Sequence, residues 1–264
     1  HFKMDHYTST LAAAIETEAK GVDAALKLLK SKEHMHVKSQ HAYCAILQRC
    51  KVASAVTRVF SHLQASFEPS FVSWNKLLRQ YGWCGDWEHI QQTRKHMREK
   101  HILVSDSTCT SVLNNFDQNS APIEVVESFW NSLQRDGFQF SSAHYLVLLR
   151  CRARVNDVAG ANVIFSKLKS IHSSSAPISR HLLRACEVLL QCAQANNDLQ
   201  AAYQFFEEGK LHGTPTLNMY TLMCNAFLQA GEARAATKLF NEMRQLGYTP
   251  SPMLEAALQK VTES

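Results

Sequence analysis

Two columns of residues recur through this chain at nearly the same step, which constrains the fold more than any single motif. The first reads Tyr43, Trp74, Thr110, Tyr145, Cys186 and Tyr220, with steps of 31, 36, 35, 41 and 34 residues. The second reads Leu63, Met97, Leu133, Leu168, Gly209 and Met243, with steps of 34, 36, 35, 41 and 34. Two independent columns in near register mark a chain built from copies of one supersecondary unit.

The unit is clearest from Leu217 to Ser251. Its first half places Leu217, Tyr220, Met223, Cys224 and Phe227 on one helical face, and Gly231 ends it. Its second half places Ala236, Leu239, Phe240, Met243 and Leu246 on one stripe, closed by Gly247, with Pro250 blocking continuation. The result is an αα-hairpin. Gly85, Asn156, Asn197 and Gly231 fall between the paired helices, with Ala121 the exception. Asp86, Asp157 and Asp198 follow those turns, where a carboxylate caps the next helix, and Glu232 complements its positive end.

Seven hairpins are expected, at 8–39, 40–70, 71–106, 107–141, 142–182, 183–216 and 217–251, with a partial one at 252–264. The longest step holds a loop from Ser173 to Pro177. One hairpin cannot bury its apolar face, so neighbours must stack into a continuous core. The expected class is therefore an all-α solenoid, read as one domain over 1–264.

Composition narrows the function classes. Apolar runs such as Leu11 to Ile15 are far short of the roughly 20 residues a membrane helix needs, so no membrane insertion is expected. Charged residues make up 19%, which is low for an elongated surface. Either other molecules cover part of that surface, or Ser, Gln and Asn supply its polarity. The formal charge of +5 admits an anionic partner without the footprint of a histone. Eight cysteines without a CxxC pair read as small core hydrophobes in a reducing compartment. The chain opens on His1, and the stretch to Thr10 is neither Arg-rich nor secretory, so any targeting peptide is expected to lie outside it.

LFNEMRQLGYTPS in the last repeat and FEPSFVSWNKLL at 67–78 resemble the pentatricopeptide repeat. Tyr220, Gly231, Ala236, Met243, Gly247 and Pro250 match its pattern, as do Pro69, Trp74, Asn75, Gly85 and Met97, with Trp in place of Tyr. The resemblance implies a right-handed α-solenoid that binds single-stranded RNA in mitochondria or plastids. One base is read per repeat, by the side chain just after the first column and one at the repeat's end. Carried over, the base-facing candidates are Asn75 with Ser105 or Asp106, Ser111 with Ser141, and Thr221 with Ser251. The equivalent pairs Leu146 with Ala176 and Glu187 with Thr216 are poor readers, because Leu cannot hydrogen-bond a base and Glu repels phosphate.

Members of the family often carry Lys near the end of the first helix. Here those places hold Val52, Trp83, Asn119, Arg154, Ala195 and Gln229, of which only Arg154 is basic. Arg49, Lys51, Arg79, Arg150 and Arg184 lie on or near first helices and complete the phosphate-contact candidates. Trp83 and Trp87, in GWCGDW, can stack on a base, but packing inside the hairpin is the expected role.

No catalytic residues are expected. His34, His36, His41 and Cys44 lack zinc spacing, so no metal or other cofactor is assigned. There is no HxE with a downstream CxxC, no aspartate cluster, no phosphate-cradling Gly-rich loop, and hence no small-molecule substrate. The expected function is that of a non-enzymatic organellar subunit touching single-stranded or structured RNA beside other proteins of a large assembly, such as a mitochondrial ribosome. Two alternatives stand beside it: a protein-binding scaffold without RNA, and a stand-alone RNA processing or stability factor. Mitochondrion is the expected location, with plastid as the alternative.

Overall fold

The computed structural model describes residues 16–17, 21–30, 40–171 and 176–262. Among them are fourteen α-helices and no strand. After α1 (Val22–Lys30) come paired helices: α2 (Gln40–Leu47) with α3 (Ala53–Ser66), α4 (Phe71–Cys84) with α5 (Trp87–Glu99), and α6 (Asp106–Gln118) with α7 (Ile123–Arg135). They continue as α8 (Ser142–Arg154) with α9 (Val158–Ile171), α10 (Ala176–Ala195) with α11 (Leu199–His212), and α12 (Leu217–Gln229) with α13 (Ala233–Gln245). The last helix is α14 (Pro252–Thr262). Most of the stretch 8–39, and Ser173 to Ser175, lie outside the described residues.

The second column explains how the hairpins hold together. Leu63, Met97, Leu133, Leu168 and Met243 are all buried. Gly209 takes the remaining place because space is lacking: a Cβ there would lie 2.5 Å from Cε of Met219 and 3.5 Å from Cβ of Cys186. In the first column Tyr43, Trp74, Cys186 and Tyr220 are buried. Trp74 packs edge-on against Phe60 at 4.9 Å, and the Tyr220 hydroxyl donates to Glu242 Oε1 at 2.8 Å.

The column slips by one residue in α6. Ser70, Ser105 and Thr216 cap their helices, each accepting from the backbone N–H three residues on. Counted from these caps, Trp74 and Tyr220 align with Cys109, which is fully buried, whereas Thr110 is half exposed. Cys109 is therefore the core residue of that repeat, and Thr110, not Ser111, matches Asn75.

The turns follow one backbone rule. Gly85, Asn156, Asn197 and Gly231 all take the left-handed conformation that ends a helix sharply. The expected exception disappears, because Ser120, with φ 53°, does the same work one residue before Ala121. Asp86, Asp157 and Asp198 then accept from the N–H groups of His89, Gly160 and Ala201, capping α5, α9 and α11.

The chain divides into two compact units, His1–Phe138 and Gln139–Ser264. Within the first, α2, α4 and α6 pack on one another in chain order; within the second, α8, α10, α12 and α14 do the same. Each unit thus carries a layer made of first helices. No described helix is long and apolar enough to cross a membrane.

Candidate nucleic-acid interface

In the first unit, α4 and α6 approach closely because Gly82 has no side chain: a Cβ there would lie 3.1 Å from Nδ2 of Asn115. Amides pin the layer. Gln80 Nε2 donates to Cys50 O at 2.6 Å, and Asn119 Nδ2 donates to Gly82 O at 3.2 Å. Above this junction lies a cleft of about 430 Å³, lined by Gln48, by Lys76, Arg79, Gln80 and Trp83 of α4, and by Ser111, Asn114, Asn115 and Gln118 of α6. Counted from the caps Ser70 and Ser105, Lys76 matches Ser111, Arg79 matches Asn114, Gln80 matches Asn115 and Trp83 matches Gln118. One stripe of the first helix, repeated, therefore lines both walls.

The second unit repeats the arrangement. Arg150, Ala153, Arg154 and Asn156 from α8 and its turn face Val188, Gln191, Cys192, Ala195 and Asn196 from α10 and its turn across about 510 Å³. Asn156 and Asn196 exchange amide hydrogen bonds at 3.0 and 2.7 Å, fixing one end.

Both clefts combine two cations with hydrogen-bonding amides, and the first adds an indole. Trp83 is 63% exposed, so it does not pack inside the hairpin as expected. Trp87 does pack, edge-on against Phe116 at 5.3 Å. A cation, an amide and an exposed aromatic face are the groups that hold a phosphate, a base edge and a base plane.

The structure sorts the sequence-derived candidates. Ser111 and Arg79 line the first cleft, and Arg150 and Arg154 line the second. Arg184 is exposed on α10 outside the lining of that cleft, and Lys51 is exposed in the turn between α2 and α3. Arg49 is half-buried, its Nη1 donating to Ala45 O at 3.2 Å.

Asn75, the first of the base-facing candidates, points elsewhere. It is 5% exposed. Its Nδ2 donates to Phe71 O at 3.0 Å and Leu103 O at 3.1 Å, while its Oδ1 accepts from Ser105 N–H at 2.8 Å. The amide is consumed in clamping the next repeat to its own. Gln40 does the same one repeat earlier, its Oε1 accepting from Ser70 N–H at 2.9 Å. Ser141 and Ser251 sit at helix starts, the former engaging His144 Nδ1 at 2.9 Å and the latter accepting from Leu254 N–H at 3.3 Å. The Thr221 hydroxyl donates to Leu217 O at 2.9 Å within its own helix, and Asp106 is exposed in the first turn of α6. Leu146 is buried, and Glu187 accepts from Asn218 Nδ2 at 2.7 Å.

Sequence reasoning misses Lys76 and Asn114, although their helical spacing from Arg79 and Ser111 places them on the same stripes. Burial pushes the Cys50 thiol up to about 11 and those of Cys186 and Cys224 to about 12, so all three stay protonated at neutral pH and act as core residues. Cys44 is buried with its Sγ 3.5 Å from Ser73 Oγ, and His41 is exposed; His34 and His36 lie outside the described residues.

The PPR repeat pattern matches residues 72–102 and 219–248. No curated protein sequence matches the chain. Among solved structures, the pentatricopeptide repeat protein PPR10 in complex with an 18-nt psaJ RNA element is 20% identical, with a TM-score of 0.71 over 98% of this chain. PPR10 from maize is 17% identical, with a TM-score of 0.69 over 98% of this chain. This chain covers 38% and 42% of those two chains. Two stretches carry the PPR repeat pattern, and nearly all the chain shares the all-α repeat fold of PPR10: the chain contains pentatricopeptide repeats.

Proposed function

We propose that the first-helix clefts hold single-stranded RNA, and that the protein acts without catalysis as an RNA-associated subunit of an organellar ribonucleoprotein, such as a mitochondrial ribosome. The observation that carries this reading is the first cleft, where Lys76 and Arg79 stand beside exposed Trp83 and a row of amides. The PPR10 complex with its RNA element, on the same fold, supports it.

Architecture is favoured over sequence reading by the fate of the base-facing positions. Asn75 is spent on the fold, Leu146 is buried and Glu187 is bonded to Asn218. A track that keeps cations and amides while losing its base readers grips a strand without selecting a long site. Its other partners are proteins of the same assembly, and its compartment is the mitochondrion, with the plastid as the alternative.

Fluorescence anisotropy of labelled RNA across a salt series tests this. Single-stranded RNA should bind with an affinity that falls as salt rises. Replacing Lys76 and Arg79 by Gln should flatten the slope by roughly 0.7 for each phosphate no longer neutralised. Absence of salt-dependent binding would leave the scaffold reading in its place. Binding of one short sequence far above its scrambled versions would favour the stand-alone factor.

A further inference from the structure

The second helices of the first unit carry a different charged feature. Between α5 and α7 lies a cleft of about 200 Å³ with Ile90 and Phe129 in its walls and Arg94, Lys95, Arg98 and Arg135 around it. Two of these cations pair with Asp136, Arg94 through Nη2 and Arg98 through Nε at 3.3 Å. Lys95 and Arg135 have no ion-pair partner among the described residues; Arg135 only donates from Nε to Asn131 O at 3.2 Å.

Arg94 makes this more than a solvated basic face. Its side chain is 7% exposed, and its Nε and Nη1 have no acceptor among the described residues. Burial and the neighbouring Arg98 charge both disfavour the charged form. A guanidinium stays protonated all the same, so it is held with donors unfilled, a cost that an incoming acceptor relieves.

We propose that this cleft receives an acidic side chain from a partner protein, its carboxylate meeting Arg94, Arg98 and Arg135 above the buried side chains of Ile90 and Phe129. A carboxylate matches the planar guanidinium, and one anion fits a small pocket with apolar walls. A nucleic-acid strand repeats its phosphates along an open track, which is what the larger first-helix clefts provide. The residues of the two features do not overlap, so this inference stands whether or not RNA binds.

The test uses the full chain and a fluorescein-labelled peptide alternating Glu and Leu, with a Gln–Leu peptide as control. Arg98→Gln with Arg135→Gln is the working variant, because both side chains are largely exposed and their removal leaves the core intact; circular dichroism checks its fold. The Glu–Leu peptide should bind saturably, weaken with salt, and lose at least about tenfold in affinity in the double variant. It should bind Arg79→Gln like the unaltered chain. The proposal is overturned if the Glu–Leu peptide does not saturate, if the Gln–Leu peptide binds equally, or if the double variant binds unchanged. It is overturned as well if the double variant loses more affinity for single-stranded RNA than for the peptide, which would assign the cleft to nucleic acid.

Discussion

Replacing Asn75 by Ala separates a clamp from a base reader. The side chain makes three hydrogen bonds. The one to Phe71 O stays within α4, whose backbone already uses that carbonyl, so removing it costs little. The other two cross to the turn that starts the next repeat, tying Leu103 O and Ser105 N–H to α4. Each such bond contributes about 1 kcal/mol net, and an amide N–H left half-buried without a partner adds up to about another. Asn75→Ala should therefore destabilise the first unit by about 2–3 kcal/mol. Thr221→Ala, at the matching place in α12, removes only a bond within one helix and should cost no more than about 0.5 kcal/mol. Urea unfolding followed by far-ultraviolet circular dichroism measures both. An unchanged midpoint for Asn75→Ala together with weaker RNA binding would refute the clamp and return the side chain to the groove.

Met97 is fully buried in the column that joins the hairpins, and Met97→Ala should cost about 2–5 kcal/mol in the same assay; a cost below about 1 kcal/mol would mean that the column is not core. Ser120 holds φ 53° without being glycine, so Ser120→Gly should raise stability by about 0.5–1 kcal/mol, and a lower midpoint would contradict the turn assignment. The Gly160 backbone N–H, followed by the Arg152 side chain, holds the Asp157 carboxyl below the usual carboxylate range. A depressed folded value means its contribution is complete above the unfolded pKa of about 3.9 and fades as pH falls through the lower folded value. The stability gap between the protein and Asp157→Asn should accordingly narrow in that acid window, and a gap that stays constant from neutral pH into acid would contradict the capping role.

What is legible in the sequence is what stacking forces on every copy. The Leu63-to-Met243 column is visible because a hairpin without a buried residue there has nothing to lean on. The turns with Gly or Asn are visible because few residues tolerate a positive φ. Ser120 escapes because serine advertises no such tolerance. The slip in α6 arises because Cys109 and Thr110 are both small, and only the cap at Ser105 shows which one is buried.

The site is harder to read for a different reason. Whether Asn75 faces a base or a neighbouring turn depends on where residues 103–105 pass, and no local pattern encodes that. Trp83 carries the same apolar signature whether packed or exposed. Its position above the close approach at Gly82, flanked by Lys76 and Arg79, decides the matter, and that is a property of two helices together.

Ultraviolet cross-linking of the protein to single-stranded RNA, with the attached peptides identified by mass spectrometry, bears most directly on the idea that first helices form the RNA-holding surface. Adducts are expected on α4 and α6, with Trp83 foremost, and on α8 or α10. Adducts confined to the second helices α5, α7, α9 and α11 would contradict it.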